Sequence, residues 1–141
     1  NEITPEVAAK VPVTQAYEFF QSSFGQWIVQ NSHALVREQA FSYVLEANEF
    51  FKSIQTDDLM MIHGIIDGYI ELDDEIIVFD YKTDYVVDST EGIQSIVRKY
   101  KEQLNIYADA LAISCNKNVT RKVLCLLSIN KNIDIDTLEV I

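Results

Sequence analysis

The sequence predicts an α/β fold in which a mixed β-sheet is flanked by helices. An aromatic N-terminal stretch has helical spacing, three β-rich runs follow it, and a long amphipathic helix separates those runs from a further apolar strand. A helix that crosses between strands of one sheet is typical of α/β architectures. The 141 residues suit one domain, so residues 1–141 are predicted to form a single unit.

Residues 14–31 predict two short helices. Their large apolar side chains recur at roughly helical spacing, and Ser22, Ser23 and Gly25 interrupt them. Ser22 or Ser23 is a suitable N-cap for the second helix. The aromatic stripe would suit either base stacking or core packing, and core packing is the preferred interpretation.

Three β-rich runs follow the helices. They cover residues 34–45, 59–72 and 75–84, with a connection over residues 48–58. The acidic pair Asp73-Asp74 between the last two runs indicates a hairpin turn, although it lacks the Gly of the favoured two-residue turns.

Residues 90–115 give the strongest helix prediction, since their apolar residues recur at steps of three and four. Thr90 is the expected N-cap, and Asn116 or Asn118 is expected to end the helix. Residues 121–129 are almost continuously apolar, which predicts a strand buried on both faces. Residues 133–141 are expected to add a last strand.

The charge and cysteine content exclude several classes. Eleven Lys and Arg against 22 Asp and Glu give a net charge of −11, which argues against a free-standing DNA or membrane binder that relies on positive charge. No apolar run approaches the roughly 20 residues of a membrane helix. Cys115 and Cys125 are too few for a disulfide framework or a four-cysteine iron–sulfur cluster, so two buried thiols in a reducing cytoplasm are expected.

The predicted hairpin brings two acidic residues together. A two-residue turn pairs Leu72 with Glu75, and the same register places Asp67 opposite Asp80. Facing residues have Cβ atoms roughly 4.5–5.5 Å apart on the same side of the sheet. Two carboxylates in such apolar strands repel each other, and one protonates unless a cation holds both. Mg²⁺ or Mn²⁺ suits an all-oxygen site of this kind.

Lys82 lies two residues beyond Asp80 and therefore on the same strand face. Its ammonium group can orient or help deprotonate a water there, or stabilise negative charge on a phosphoryl group. Tyr81 points to the opposite face, but its backbone carbonyl can supply a further metal ligand. The alternative is that Asp80, Lys82 and Asp84 are only solvated residues at the sheet edge.

Three short motifs carry a resemblance to a known family. They are Gly64-Ile-Ile-Asp67, Asp80-Tyr-Lys-Thr-Asp84, and Gln103-Leu-Asn-Ile-Tyr107 on the long helix. Together they resemble the motifs of RecB-like nucleases in the PD-(D/E)XK superfamily, in particular the C-terminal nuclease domain found in the larger polypeptide of the bacterial AddAB/RexAB ATP-dependent helicase–nuclease. The resemblance implies a restriction-endonuclease-like fold, with a catalytic β-hairpin followed by a long helix.

The resemblance also implies an activity and roles for particular residues. The implied activity is a Mg²⁺- or Mn²⁺-dependent deoxyribonuclease, an exonuclease that acts on strands unwound by a helicase in double-strand-break repair and recombination. Asp67, Asp80 and the carbonyl of Tyr81 would bind the metal, and Lys82 would be the catalytic lysine. The remaining motif residues are Gln103, Tyr107 and Thr83 as substrate contacts, Asp84 without an assigned role, and Glu38 as a supporting residue.

The basic residues that would hold DNA are few. Between Ser53 and Tyr81 there is no Lys or Arg. Arg98, with Lys99 and Lys101, forms the nearest basic cluster on the long helix, and Arg98 is the candidate substrate contact. A solvated helix face is the alternative interpretation. Weak positive charge predicts poor affinity for DNA by the domain alone, since phosphate neutralisation supplies most non-specific binding.

Members of the resembled family carry a metal-binding His on a helix upstream of the first strand, and no matching motif is found here. His33 and His63 lie outside that context, so both are expected to be structural or exposed. We expect the missing His to precede Asn1 in a longer helicase–nuclease polypeptide, of which this chain would be a C-terminal fragment.

The implied partners are single-stranded DNA, the helicase region of the same polypeptide and a second nuclease subunit. Three alternatives stay open. They are a non-catalytic docking domain with a nuclease fold, a stand-alone exonuclease of the same superfamily, and a protein-interaction module marked by its acidic surface.

Overall fold

The computed structural model describes residues 12–46 and 59–141. Their elements are helices α1 (Val13–Gln21) and α2 (Ser23–Gln30), a 3₁₀ turn (Ser32–Ala34), strands β1 (Leu35–Glu46), β2 (Leu59–Glu71) and β3 (Glu75–Lys82), helix α3 (Thr90–Cys115), and strands β4 (Asn118–Leu126) and β5 (Lys131–Asp134). The predicted connection over residues 48–58 lies outside the described residues.

The two predicted N-terminal helices are confirmed, and a single serine separates them. Ser22 has extended backbone angles, and its side chain accepts a hydrogen bond from the amide of Gly25. This N-cap satisfies an amide that helix geometry leaves without a partner, so α2 begins one residue later.

The five strands form one mixed sheet in the order β1-β2-β3-β4-β5. β1, β2 and β3 pair antiparallel, β3 and β4 pair parallel, and β5 returns antiparallel to β4. Because parallel neighbours need a long crossover, α3 occupies the connection between β3 and β4. The predicted mixed sheet flanked by helices is confirmed.

The sheet separates two cores. The α3-side core packs α3 against one face of the sheet and includes Tyr69, Val78, Leu104, Leu111 and Leu124. The opposite core packs α1 and α2 against the other face and includes Phe19, Phe24, Ile28, Phe79 and Cys125. Successive residues of β3 and β4 alternate between the two cores, which explains why Val123–Leu126 read as a continuous apolar run.

Three boundaries differ from the sequence predictions or refine them. The N-cap of α3 is Ser89, whose side chain accepts from the Gly92 amide, and not Thr90. Asn116 ends the helix as predicted, in a left-handed conformation with φ of 52°. β4 begins at Asn118 and ends at Leu126, earlier than predicted, because a tight turn over residues 127–130 follows it.

β5 is shorter than the strand predicted over residues 133–141. It ends at Asp134, whose carboxylate accepts hydrogen bonds from the amides of Asp136 and Thr137. Such a side-chain cap competes with the sheet ladder and bends the chain. The segment then returns for a single bridge between Ile133 and Val140.

The two cysteines are free thiols, as predicted. Cys125 is fully buried in β4, whereas Cys115 at the end of α3 is only half-buried, so the prediction of two buried thiols is wrong for Cys115. Within residues 12–46 and 59–141, no helix is both long and apolar enough to cross a membrane.

Gly68 lies directly after Asp67, at a point of β2 that has no room for a side chain. A Cβ there would overlap the ring of Phe79, which is 1% exposed and held edge-on by Phe24. We expect Gly68→Ala to lower the free energy of unfolding by about 1–3 kcal/mol, because the packed ring cannot move aside. Urea unfolding measures this. Ile65→Ala, at an exposed site on the same strand, should change it by less than about 0.5 kcal/mol, and equal effects would contradict the packing argument.

Candidate active site

The β2–β3 hairpin holds the predicted register up to the acidic pair. Gly68 pairs with Phe79, and the same register continues to Glu71 opposite Ile76 and to the Leu72–Glu75 hydrogen bond of the turn. The ladder ends at Gly68, one residue before Asp67. Beyond it, the amide of Tyr81 donates to Asp67 Oδ2 at 2.8 Å, so a side-chain carboxylate takes a bond that a strand carbonyl would normally accept.

Asp67 and Asp80 are brought together where the ladder ends. Their carboxyl groups share a hydrogen bond, as the predicted register requires of facing side chains. Asp80 is 4% exposed, although it is a charged residue in an otherwise apolar strand. Burial, then the hydrogen bond and repulsion from Asp67, raise the pKa of Asp80, and the nearby Lys82 opposes the shift only in part.

A backbone irregularity accompanies this separation of the strands. In β1, Arg37 pairs with Gly68 and Gln39 pairs with Ile66, while Glu38 between them adopts a left-handed φ of 54°. The alternation of β2 changes phase at the same point, since Ile66 and Tyr69 both belong to the α3-side core. A non-glycine residue with positive φ is uncommon and is held by its surroundings. Glu38, the predicted supporting residue, therefore lies in the kink beside Asp67.

Lys82 reaches the acidic pair as predicted. Its ammonium Nζ lies 2.9 Å from Asp80 Oδ2 and donates to Gln103 Oε1 at 3.1 Å. It also lies 4.2 Å from the centre of the Tyr100 ring, and its side chain is 18% exposed. Gln103 is thus brought to the site by α3 through its contact with Lys82.

Tyr107 and Tyr81 lie on opposite faces of the sheet. Tyr107 packs edge-on against Phe41 at 5.0 Å between ring centres; burial, then the negative charge of Asp80 and Asp67, raises its pKa to about 12. The ring of Tyr81 packs against Phe19 at 5.2 Å in the opposite core, which confirms its predicted direction. The role of the Tyr81 carbonyl as a metal ligand stays a prediction.

The other predicted substrate contacts lie further out. Thr83 is exposed directly after β3, and Arg98 is exposed on α3. Helical periodicity turns Arg98 roughly 140° away from Gln103 around the helix axis, so the two do not share a face. Both residues remain predictions as substrate contacts, and Arg98 would act from the flank of α3.

The two histidines are exposed, as expected. His33 lies in the 3₁₀ turn, and His63 hydrogen-bonds through Nδ1 to Ser42 Oγ on the neighbouring strand at 2.9 Å. Among the residues that the structure describes, no group of three or more His, Cys, Asp or Glu side chains is arranged to hold a metal ion. The acidic pair is therefore a two-carboxylate site within the described chain.

Sequence patterns do not reveal the part played by Tyr100 and Lys99. Tyr100 donates its hydroxyl to Asp84 Oδ2 at 2.8 Å, and Lys99 Nζ donates to the same oxygen at 3.0 Å. Partial burial acts to raise the pKa of Asp84, but these two hydrogen bonds outweigh it and lower the pKa below its ordinary value. The available signal is the three-residue step from Tyr100 to Gln103, which places both on one helix face.

Curated relatives of this chain agree on one protein, the A chain-type component of the ATP-dependent helicase/nuclease. The Pediococcus pentosaceus relative is 38% identical over 92% of this chain and 11% of that protein. The Enterococcus faecalis relative is 40% identical over 99% of this chain and 11% of that protein. For Limosilactobacillus fermentum the identity is 44% over 76% of this chain and 8% of that protein. No family model matches.

The chain is homologous to a segment of this ATP-dependent helicase/nuclease component. It spans about a tenth of the length of these relatives. In the Enterococcus relative the matched length is almost the whole of this chain, so the homology covers the hairpin, α3 and the acidic pair.

The buried acidic pair predicts a pH dependence of stability. The pKa of Asp80 rises from 3.8 to about 8 in the folded chain. Between these values the folded state holds a proton that the unfolded state has released, so the free energy of unfolding of the metal-free protein falls as the pH rises. Asp80→Asn should reduce this slope by up to roughly 1.4 kcal/mol per pH unit.

Urea unfolding in EDTA from pH 5 to pH 8 measures this slope. Asp73→Asn, in the exposed hairpin turn, makes the same charge change away from the pair and should keep the slope of the wild type. Identical slopes for the wild type and Asp80→Asn would contradict a buried, proton-holding Asp80.

Proposed function

We propose that this chain is a metal-dependent DNA nuclease domain with a restriction-endonuclease-like fold, which hydrolyses phosphodiester bonds. The observation that carries the proposal is the Lys82 ammonium, 2.9 Å from the buried carboxylate of Asp80, which itself contacts Asp67. A carboxylate pair with an adjacent lysine is suited to hydrolysis at a phosphate, because it combines a cation site with a fixed positive charge.

Asp67 and Asp80 are the residues that would hold the metal. Their donor atoms are all carboxylate oxygens, which suit Mg²⁺ or Mn²⁺ rather than a softer metal. The raised pKa of Asp80 supports this assignment, since a buried carboxyl beside another carboxyl lacks a compensating charge that a cation would supply. When bound, such a metal polarises the phosphate and lowers the pKa of a coordinated water. The Tyr81 carbonyl is the proposed additional ligand.

The chain's own side chains perform the remaining work. Lys82 would place its ammonium against a non-bridging oxygen of the scissile phosphate, where negative charge grows in the transition state. Gln103 keeps that ammonium beside Asp80 through its hydrogen bond. Thr83, Tyr107 and Arg98 are the proposed contacts to the DNA strand. Water adds across the ester bond, so its oxygen joins phosphorus and its proton leaves with the departing oxygen.

We further propose that the DNA arrives single-stranded from a helicase, within a larger helicase–nuclease that acts in double-strand-break repair and recombination, as an exonuclease. The names of the relatives and the net charge of −11 support this role. A domain with so little positive charge gains little from phosphate neutralisation, and delivery by a motor removes that need. The proposed partners are the helicase region of the same polypeptide and a second nuclease subunit.

Two competing functions predict different behaviour. A non-catalytic docking domain has no use for an ammonium group fixed against a buried carboxylate, and a stand-alone exonuclease acting on duplex ends would need a more basic groove. The contact between Lys82 and Asp80 argues against the first, and the acidic composition argues against the second.

Nuclease activity should be measurable on end-labelled single-stranded DNA in Mn²⁺. We expect the chain to degrade this substrate, and EDTA to abolish the activity. Asp80→Asn should lower the rate by at least about 100-fold, because it removes a carboxylate from the metal. Asp73→Asn should behave as the wild type. Cleavage that persists in Asp80→Asn would contradict the assigned site.

Cation binding gives a second measurement that does not depend on turnover. We expect Mn²⁺ to raise the Tm of the chain in proportion to the logarithm of its concentration above Kd, because it binds only the folded state. Asp67→Asn should remove this increase, whereas Asp74→Asn in the hairpin turn should keep it. A chain that neither cleaves DNA nor gains stability from Mn²⁺ would overturn the proposed function and favour the docking domain.

A further inference from the structure

Tyr100 stands out among the residues around the acidic pair to which no role has been given. It lies on α3, one turn before Gln103, and is half-buried at the edge of the α3-side core. Its ring faces the Lys82 ammonium at 4.2 Å, and its hydroxyl donates to Asp84 Oδ2 at 2.8 Å. One side chain therefore joins the lysine of the site to the last acidic residue of the Asp80-Tyr-Lys-Thr-Asp84 segment.

Both ends of this link are fixed by the fold. The backbone carbonyl of Asp84 accepts a hydrogen bond from Ser128 Oγ at 2.7 Å, which holds the segment after β3 against the chain that follows β4. Lys99 donates to the same Asp84 oxygen that accepts from Tyr100. Because the carboxylate holds the hydroxyl, the ring has a defined position, and a phenol that donates to a carboxylate gains electron density on its ring.

The surroundings of the Lys82 ammonium explain why such a ring matters. An ammonium has three donors, and here one faces Asp80 Oδ2 at 2.9 Å and one faces Gln103 Oε1 at 3.1 Å. The ring face of Tyr100 occupies the remaining side of the group as a non-hydrogen-bonding partner. Any cation that takes Asp80 competes with Lys82 for that carboxylate, and the ring and Gln103 then remain to hold the ammonium.

We propose that Tyr100 is a positioning residue for Lys82: its ring, held by Asp84, keeps the ammonium beside Asp80 and aimed at the reacting phosphate. This inference rests on the proposed nuclease function, and it gives Asp84 a role as the anchor of the ring. The hydroxyl acts only through Asp84, so the ring itself should carry most of the effect.

The first test compares variants in the single-stranded DNA assay with Mn²⁺. Tyr100→Leu and Tyr100→Met remove the ring, and each should lower kcat roughly 5- to 30-fold while KM changes less than about twofold. Tyr100→Phe keeps the ring and should retain activity within about threefold of the wild type. Tyr17→Leu, an exposed tyrosine on α1, is the matched control and should be unchanged. A merely structural tyrosine would not be rescued by Phe with a selective effect on kcat.

The second test needs no metal and no turnover. Brief acetylation of the folded, metal-free chain, followed by mass spectrometry, gives the reaction rate of Lys82 relative to the exposed Lys101 on α3. In Tyr100→Leu and Tyr100→Met this ratio should rise at least about threefold, because the ammonium loses one of its covers. In Tyr100→Phe the ratio should stay near that of the wild type.

The outcomes separate this inference from the proposed function. If the wild type cleaves DNA and the ring-less variants match it in kcat or in the acetylation ratio, the positioning role is wrong and the nuclease assignment stands. If Tyr100→Phe falls as far as Tyr100→Leu, the ring is not the agent, and the inference is again overturned. If the wild type does not cleave, the proposed function fails, and an unchanged acetylation ratio would then also refute the hold on Lys82.

Discussion

The buried carboxyl group of Asp80 is the constraint on which the surrounding structure depends. It sits in the middle layer of an apolar sheet, where an isolated charge would be very unfavourable. Two neighbouring groups offset that cost: Asp67 shares a hydrogen bond with it, and Lys82 supplies a positive charge at 2.9 Å. The polar face of α3 extends the same network through Gln103, so the helix carries polar side chains where it crosses the end of the hairpin.

The kink at Glu38 and Asp67 solves a conflict within β2. Regular alternation would place Ile66 and Tyr69 on opposite faces of the sheet, yet both are buried in the α3-side core. The change of phase lets both side chains pack while the Asp67 carboxylate turns toward β3 and accepts from the Tyr81 amide. The positive φ of Glu38 is the local cost of this arrangement on the adjacent strand.

Much of the site follows from the sequence because it depends on two periods and one turn. The Asp73-Asp74 turn and the two-residue period of strands predict the register of the hairpin, and the same period places Lys82 on the face of Asp80. The kink is not predictable, since it depends on the backbone of Glu38 rather than on any pattern. Sequence spacing assigns Tyr100 only to the core, because helical periodicity describes a face and not the partner that each side chain finds across it.

The site is assembled from parts that are close in the chain and parts that are not. The hairpin is a local structure, but Lys82 meets Gln103 across 21 residues and Asp84 meets Tyr100 across 16. These contacts form only when α3 docks and β4 pairs parallel with β3, which are steps with a high entropic cost of loop closure. During synthesis, therefore, the two carboxylates emerge together and stay hydrated, and Asp80 acquires its dry surroundings only after the ribosome has made β4.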